Sequence, residues 1–242
     1  MIRPQSAMLL AAGLGTRMRP LTEGTAKPLL PLGGRPLLDH ALDRLAAAGV
    51  TTVVVNTHWH ADRVAAHLGA RAGGPRVVVR TEDALLDTGG AVRAALDVLG
   101  PAPFFIVNGD TFWLDGPTPA LDRLAAAWDG SADAVLLVHR TFQVQGGGDA
   151  GDFALDQMGR ARRRTPGEIV PYLYAGVQLA APALFDAAPS GPFSLNLLWD
   201  RAIAAGRLAG VVHDGLWFHL STPPDLAEAE QNLRARAVGD AR

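Results

Sequence analysis

Apolar residues fall in two rhythms along this chain. Near-continuous runs at residues 7–12, 51–56, 76–80, 104–107 and 132–138 are bounded by Gly, Pro and Asp. Such runs are the pattern of strands buried on both faces. Between them, residues 37–48, 61–68, 89–99 and 120–128 repeat apolar side chains every three or four positions, which predicts amphipathic helices. The alternation implies an α/β architecture, a mostly parallel central sheet with helices on both faces. Ligands of such sheets sit beyond the carboxyl ends of the strands. Chemistry is therefore expected just after Ala12, Asn56, Arg80 and Val107.

The rhythm changes after about residue 140. Gly146, Gly147 and Gly148 with Gly151 predict a flexible loop, residues 152–164 a hairpin and 168–179 a strand. Residues 182–187 and 195–205 read as helical, and 208–213 and 217–220 as short strands. A last helix is expected over 223–237 with Thr222 as its N-cap. No internal repeat or long linker interrupts the chain. The expected organisation is one domain over 1–242, with a first half over 1–140 and a small β-rich, substrate-facing lobe over 141–242.

Composition narrows the picture by exclusion. The 242 residues are 48% apolar, enough for a sizeable core, yet no apolar run approaches the roughly eighteen residues of a membrane span. No secretory signal is visible at the N-terminus, and there are no cysteines, so disulfides and thiolate metal sites are excluded. A cytoplasmic setting is the expectation. A net charge of −2 gives no pull toward nucleic acid or membrane surfaces. The one basic cluster, Arg160 with Arg162, Arg163 and Arg164, lacks interleaved aromatics and reads as a solvated hairpin face. Trp113, Trp128 and Trp199 are candidates for core or for contact with another chain, which leaves the oligomeric state open.

Of twenty-two basic side chains only Lys27 is lysine. It follows a strand end and a glycine-rich turn, Gly13-Leu14-Gly15-Thr16, whose backbone N–H groups can point at an anion. A P-loop requires Gly-Lys-Ser/Thr at fixed spacing, and Lys27 lies too far on. A dinucleotide fingerprint requires a third Gly or Ala where Met18 stands, and an acid near Asn56. What remains is a longer loop, pinned by Pro20, Pro28 and Pro31, that cradles a triphosphate and returns a slim ammonium to it.

The run Leu10-Ala11-Ala12-Gly13-x-Gly15-Thr16-Arg17-Met18-x-Pro20-Leu21-Thr22, then Lys27-Pro28-Leu29 and Gly34-x-Pro36-Leu37, resembles the signature of the sugar-phosphate nucleotidyltransferases. One departure is Ala26, where that family usually has proline. The resemblance implies a Rossmann-like fold of the nucleotide-diphospho-sugar transferase type, with residues 1–140 as the nucleotide-binding half and 141–242 as the sugar-phosphate half. The β-helical acetyltransferase domain of some relatives is not expected here, since the sequence stops soon after the final expected helix. It implies that Leu10, Ala11, Ala12, Gly13, Gly15, Thr16 and Arg17 hold the triphosphate. Arg17 would neutralise the departing pyrophosphate, and Lys27 would touch the phosphates near the reacting centre.

Glu82 and the segment Thr88-Gly89-Gly90 are placed by the resemblance at the base, where a carboxylate can accept from a pyrimidine N–H; helix capping is the competing reading of Asp87 and Thr88. Asp110, ending the greasy strand that leads to Asn108-Gly109, suits Mg²⁺, which takes one or two carboxylates with phosphates and water. Asn108 is expected near sugar or ribose. The family's second metal acid falls in a Trp-x-Asp pattern that here reads Trp217-Phe218-His219, with Ser221 for glycine. Imidazole suits Mg²⁺ poorly. His219 then binds substrate phosphate, or Asp110 holds the metal with phosphates and water, or Mn²⁺ or Co²⁺ is tolerated, or the site is silent.

The implied reaction joins a nucleoside triphosphate to a sugar 1-phosphate with release of pyrophosphate. A phosphate monoester is largely a dianion at neutral pH, so no general base is needed. Catalysis then rests on Arg17, Lys27 and Asp110. Asp87-Thr88-Gly89-Gly90, Gly151-Asp152-Phe153 and Tyr174-Ala175-Gly176 are most similar to the N-acetylmuramate-1-phosphate uridylyltransferases of peptidoglycan recycling, which favours UTP. Asp152, Glu168, Gly176 and Asn196 become candidates for the sugar. Asp152, Glu168 and Asn196 also read as turn, strand edge and helix cap. A hexose-1-phosphate guanylyltransferase, mannose first, is the alternative, and a non-catalytic nucleotide-sugar sensor is a third.

Overall fold

The computed structural model describes residues 2–144 and 150–239, so the glycine run from Gly146 to Gly148 lies outside the described residues. In chain order the strands are β1 (Ser6–Leu10), β2 (Pro31–Leu32), β3 (Arg35–Pro36), β4 (Thr52–Thr57), β5 (Arg76–Thr81), β6 (Phe104–Asn108) and β7 (Phe112–Leu114). There follow β8 (Ala134–Arg140), β9 (Phe153–Leu155), β10 (Ala161–Arg163), β11 (Tyr172–Ala180), β12 (Leu208–Val212) and β13 (Leu216–Phe218). The helices are α1 (Leu37–Ala47), α2 (Ala61–Ala70), α3 (Asp87–Ala94), α4 (Leu96–Leu99), α5 (Ala120–Ala127), α6 (Leu195–Ala204) and α7 (Pro223–Gly239).

The main sheet has the order β12-β8-β11-β6-β1-β4-β5, with the β9–β10 hairpin attached at Tyr172 of β11. Six of those seven strands run the same way, and β11 runs antiparallel to both β6 and β8. The expected mostly parallel sheet with helices on both faces is what the chain forms. Strands from both halves share it.

Alternation explains why wholly apolar strands fit here. Side chains i and i+2 share a face, so Ala7 and Leu9 join one core while Met8 joins the other. Val53 and Val55 separate from Val54 in the same way, and Phe105 and Val107 from Phe104 and Ile106. The first core is covered by α1, α2 and α5, and the second by α3, α4 and α6. β5 is the sheet edge, and its residues are only partly buried or exposed.

Several boundaries moved for local reasons. The expected helix over 89–99 begins at Asp87 and breaks at Ala95, whose N–H bonds three residues back to Val92. The strand expected from 168 begins at Tyr172, because Pro171 has no N–H for a ladder and the Glu168 N–H closes a turn onto Thr165. Residues 182–187 form a 3₁₀ turn at Pro182–Phe185. The last helix is capped at Thr222, whose hydroxyl accepts from the Asp225 N–H at 3.4 Å, while Asp225 Oδ2 accepts from the Ser221 and Thr222 N–H groups. Trp113 and Trp199 are core residues. No helix among the described residues is long and apolar enough to cross a membrane.

Two buried histidines lie under the carboxyl edge of β8 and β12. His139 and His213 stand 6.1 Å apart, ring to ring, and the His139 Nδ1 has no partner among the described residues. Burial, the neighbouring His213 and Arg140 together push His139 down to about 4 from 6.5. A histidine depressed in the fold binds its proton more readily in the unfolded chain, so stability is intact above about pH 6.5 and declines toward pH 4. The expected loss is up to about 3 kcal/mol. Urea midpoints between pH 7 and 4.5 measure it, and His139→Gln is expected to show a shallower decline than the wild type.

Candidate active site

The carboxyl ends of β1, β4, β5 and β6 open onto one cleft of about 620 Å³. Its floor is the loop after β1. Gly15 has φ +61, and a Cβ there would come within 3.0 Å of the Thr22 side chain and 3.2 Å of Lys27 Cβ, so glycine is required twice over. Thr22 ties this turn down by donating its hydroxyl to the Gly15 carbonyl at 2.8 Å. The N–H groups of Gly13, Leu14 and Gly15 find no acceptor among the described residues, which leaves a row of donors at the cleft. Arg17, on the 3₁₀ turn Thr16–Met18, is exposed and has no ion-pair partner among the described residues.

Lys27 opens the next 3₁₀ turn and is only 9% exposed. Its Nζ donates to Asp110 Oδ2 at 2.6 Å, so two motifs 83 residues apart meet in one ion pair. The Asp110 carboxylate remains 40% exposed on the cavity side. Behind it, the Gly109 N–H donates to the Leu10 carbonyl at 2.7 Å, locking the end of β6 to the end of β1.

A second tether runs along the far side of the cleft. The Ala11 N–H donates to Asn56 Oδ1 at 2.9 Å, and Asn56 Nδ2 donates to Glu82 Oε1 at 2.7 Å. Glu82 Oε2 accepts from the Leu86 N–H at 2.9 Å. Both carboxylate oxygens of this buried acid are therefore engaged in shaping the end of the cleft bordered by Leu85, Asp87 and Thr88. Leu10, Ala11, Ala12, Gly13, Gly15, Thr16, Arg17, Lys27, Glu82, Thr88, Asn108 and Asp110 all line this cleft.

A second cavity of about 400 Å³ adjoins the first and shares Arg17, Lys27, Asn108, Asp110 and Ser221 with it. The structure also brings Asp152, Gly176 and His219 there. Asp152 Oδ2 accepts from the Tyr174 N–H at 2.9 Å. Gly176 sits in the irregular stretch of β11 where a Cβ would lie 2.9 Å from Thr111 Oγ1. The Thr111 hydroxyl donates to the Ala175 carbonyl, as does Trp217 Nε1 at 3.0 Å, which joins β11 to the β7–β13 ribbon. His219 is exposed, with its ring 5.5 Å from that of Trp217.

Four candidates do not line either cavity. Glu168 is bound by Arg162 at 2.6 and 2.9 Å and by the Thr165 N–H, contacts that hold its carboxyl down at about 2. Asn196 Oδ1 accepts from Arg163 at 2.7 Å, and its N–H meets the Ser194 cap. Glu168 thus closes a turn before β11, and Asn196 lies in the first turn of α6 behind the Ser194 cap. Gly89 and Gly90 are buried against residues 191–193; both N–H groups donate to the Phe193 carbonyl, and a Cβ on Gly89 would strike the Phe193 ring at 2.3 Å. Here glycine makes room for a neighbouring segment. It seats the start of α3 so that Asp87 and Thr88 reach the cleft.

Sequence reasoning passed over Asn56, Thr111, Tyr174, Trp217, Ser221 and Arg164, all of which line one of the two cavities. Asn56 carried a usable signal, being polar at the carboxyl end of a central strand. Among the described residues no three His or acidic side chains cluster as a preformed metal cage. Asp110 Oδ1, not engaged by Lys27, faces a cavity large enough for phosphate and water. That donor set fits a cation held jointly by one carboxylate and a ligand's own oxygens.

The Nucleotidyl transferase family model matches residues 6–143. An N-acetylmuramate alpha-1-phosphate uridylyltransferase from Caulobacter vibrioides is 45% identical over 235 residues, covering 95% of this chain and 97% of that one. Another, from Neisseria meningitidis serogroup B, is 34% identical and covers 93% of this chain and 96% of its own. Among solved structures, a UDP-glucose pyrophosphorylase complexed with UDP-glucose shares the fold at a TM-score of 0.80, with 14% identity over 98% of this chain and 100% of that one.

The packing of α3 generates a test. Gly89→Ala is expected to lower stability by about 1–3 kcal/mol through overpacking against Phe193, read as a lower urea midpoint. Wild-type stability with weakened nucleotide binding would instead assign Gly89 to the base.

Proposed function

This chain belongs to the nucleotidyl transferase family, and from that premise we propose that it transfers a uridylyl group from UTP to N-acetylmuramate 1-phosphate, releasing pyrophosphate. The observation that carries the reading is the meeting of two cavities at the Lys27–Asp110 pair. One has unpaired backbone donors beside it and a shaped polar end, as a nucleoside triphosphate needs. The other is lined by side chains suited to a sugar. The similarity to two uridylyltransferases over nearly the whole chain supports the choice of substrates.

The chemistry follows from position and charge. An oxygen of the sugar phosphate, already a dianion, attacks the α-phosphorus in line, and the bond from α-phosphorus to the bridging oxygen breaks so that pyrophosphate leaves. The loop N–H groups and Arg17 hold and neutralise the departing phosphates. Lys27 has three donors on one nitrogen, so it can keep Asp110 and still reach a phosphate oxygen. Asn56 and Glu82 act as positioning residues that fix the loop and the base end. Asp110 is the residue that would hold Mg²⁺, with His219 nearby in the same cavity. When bound, that ion supplies further neutralisation of phosphoryl charge. The proposal carries with it a cytoplasmic setting and a place in peptidoglycan recycling.

A pyrophosphate-release screen of four nucleoside triphosphates against several sugar 1-phosphates tests the reading. Turnover with UTP and N-acetylmuramate 1-phosphate is expected. Preference for GTP with mannose 1-phosphate would replace it by the guanylyltransferase alternative, and nucleotide-sugar binding without turnover by a sensor. Lys27→Ala is expected to lower kcat by roughly 100-fold, as when one preorganised charge contact is lost. Lys27→Arg should rescue little, since the nearly enclosed ammonium meets a single Asp110 oxygen where a planar fork is bulkier than a point charge. Near-wild-type turnover of Lys27→Ala would remove this residue from the mechanism.

A further inference from the structure

We infer that Arg164 recognises a carboxylate carried by the sugar, and so sets the preference of this site for an acidic sugar 1-phosphate over a neutral one. The inference rests on the uridylyl-transfer reading above and adds the residue that selects the acceptor.

The three consecutive arginines after β9 differ in what they meet. Arg162 is satisfied by Glu168 at 2.6 and 2.9 Å. Arg163 is satisfied by Asp200 at 2.8 Å and Asn196 at 2.7 Å, and lies over the Phe153 ring at 4.7 Å. Arg164 lines the smaller cavity, and its guanidinium has neither hydrogen bond nor ion pair among the described residues. Its backbone N–H donates to the Asp152 carbonyl at 3.3 Å, which fixes where the side chain departs. What looks in sequence like one solvated basic face of four arginines includes two held by acids, Arg162 and Arg163, and one, Arg164, that lines a cavity.

The acids of that cavity do not outweigh its cations. Asp110, paired with Lys27, and Asp152, which accepts from the Tyr174 N–H, face three cations in Arg17, Lys27 and Arg164. Positive charge therefore stands at two places: Arg17 and Lys27 from the loops after β1, and Arg164 from the hairpin lobe. N-acetylmuramate 1-phosphate is an acceptor with two anionic ends, the 1-phosphate and the carboxylate of its lactyl ether. N-acetylglucosamine 1-phosphate is the same sugar without the lactyl group. With the phosphate held at Arg17 and Lys27, a second anion on the sugar has a planar, bidentate partner in Arg164, whereas a neutral sugar leaves that guanidinium to water.

The test compares the KM for N-acetylmuramate 1-phosphate with the inhibition constant of N-acetylglucosamine 1-phosphate, both at saturating UTP. Arg164→Ala is expected to raise the first by about 10- to 100-fold and to leave the second, and the KM for UTP, within about twofold, as loss of a charged hydrogen bond to the carboxylate alone predicts. Arg164→Lys should recover part of the loss, because charge is restored without the fork. An unchanged KM, or equal weakening of both sugars, would overturn the assignment and leave the reaction standing. A wild-type enzyme with no turnover of N-acetylmuramate 1-phosphate and UTP would overturn the reaction and this inference together.

Discussion

The ion pair between Lys27 and Asp110 is the constraint on which the geometry of this site depends. It joins a loop after β1 to the end of β6, completing an approach that the β1–β6 ladder and the Gly109–Leu10 hydrogen bond begin. The pair is half buried, with the lysine nearly enclosed and the aspartate open to the cavity. Such a pair adds little to stability in itself, because desolvation offsets much of the attraction. Its value lies in direction. Lys27 is held at the boundary of two cavities, and one oxygen of Asp110 is left facing substrate. Gly15 and Thr22 serve the same end, since the Lys27 stem passes where a larger residue at 15 would stand.

The remaining charge of the chain is arranged around that point. Arg35, Arg71, Arg80, Arg123, Arg162, Arg163, Arg207 and Arg234 are each paired with an acid, mostly at the surface, where such pairs contribute little to stability. Those pairings keep the net charge near zero without drawing on the cleft. Arg17 and Arg164 line the cavities that meet at Asp110, and neither has an ion-pair partner among the described residues. Unpaired positive charge is thus available at the place where polyanionic ligands would supply the counter-charge.

Much of this was legible in the sequence, and the misses share a cause. The buried strands announced themselves as apolar runs, and Gly13, Gly15, Arg17 and Lys27 were picked out as the loop that lines the cleft. Local patterns specify backbone well, because turn residues and periodicity are local. Side-chain partners across the fold are not. Glu168 and Asn196 read as polar residues in a substrate-facing lobe, yet Arg162 and Arg163 of β10 claim them. Gly89 and Gly90 were read through a ligand, while the space they create is filled by residues 191–193, about a hundred positions away. A short strand was expected over 217–220, but β7 and its pairing with that strand escaped notice because three-residue strands carry too little alternation to register, although Trp217 shapes the smaller cavity.

The place of His219 follows from the same economy of charge. A site with two fixed carboxylates would bind a divalent cation before substrate arrived. Here the described residues offer Asp110, already neutralised by Lys27, and an imidazole that prefers softer ions than Mg²⁺. Cation affinity in such a site must come largely from the phosphates themselves, since magnesium keeps water and takes ligand oxygens readily. Binding of cation and nucleotide is then coupled, each raising the affinity of the other, as reciprocal linkage requires. Under the proposed function, histidine at 219, where the family pattern has an acid, would alter the order in which the charges assemble and leave the in-line geometry to Arg17, Lys27 and Asp110.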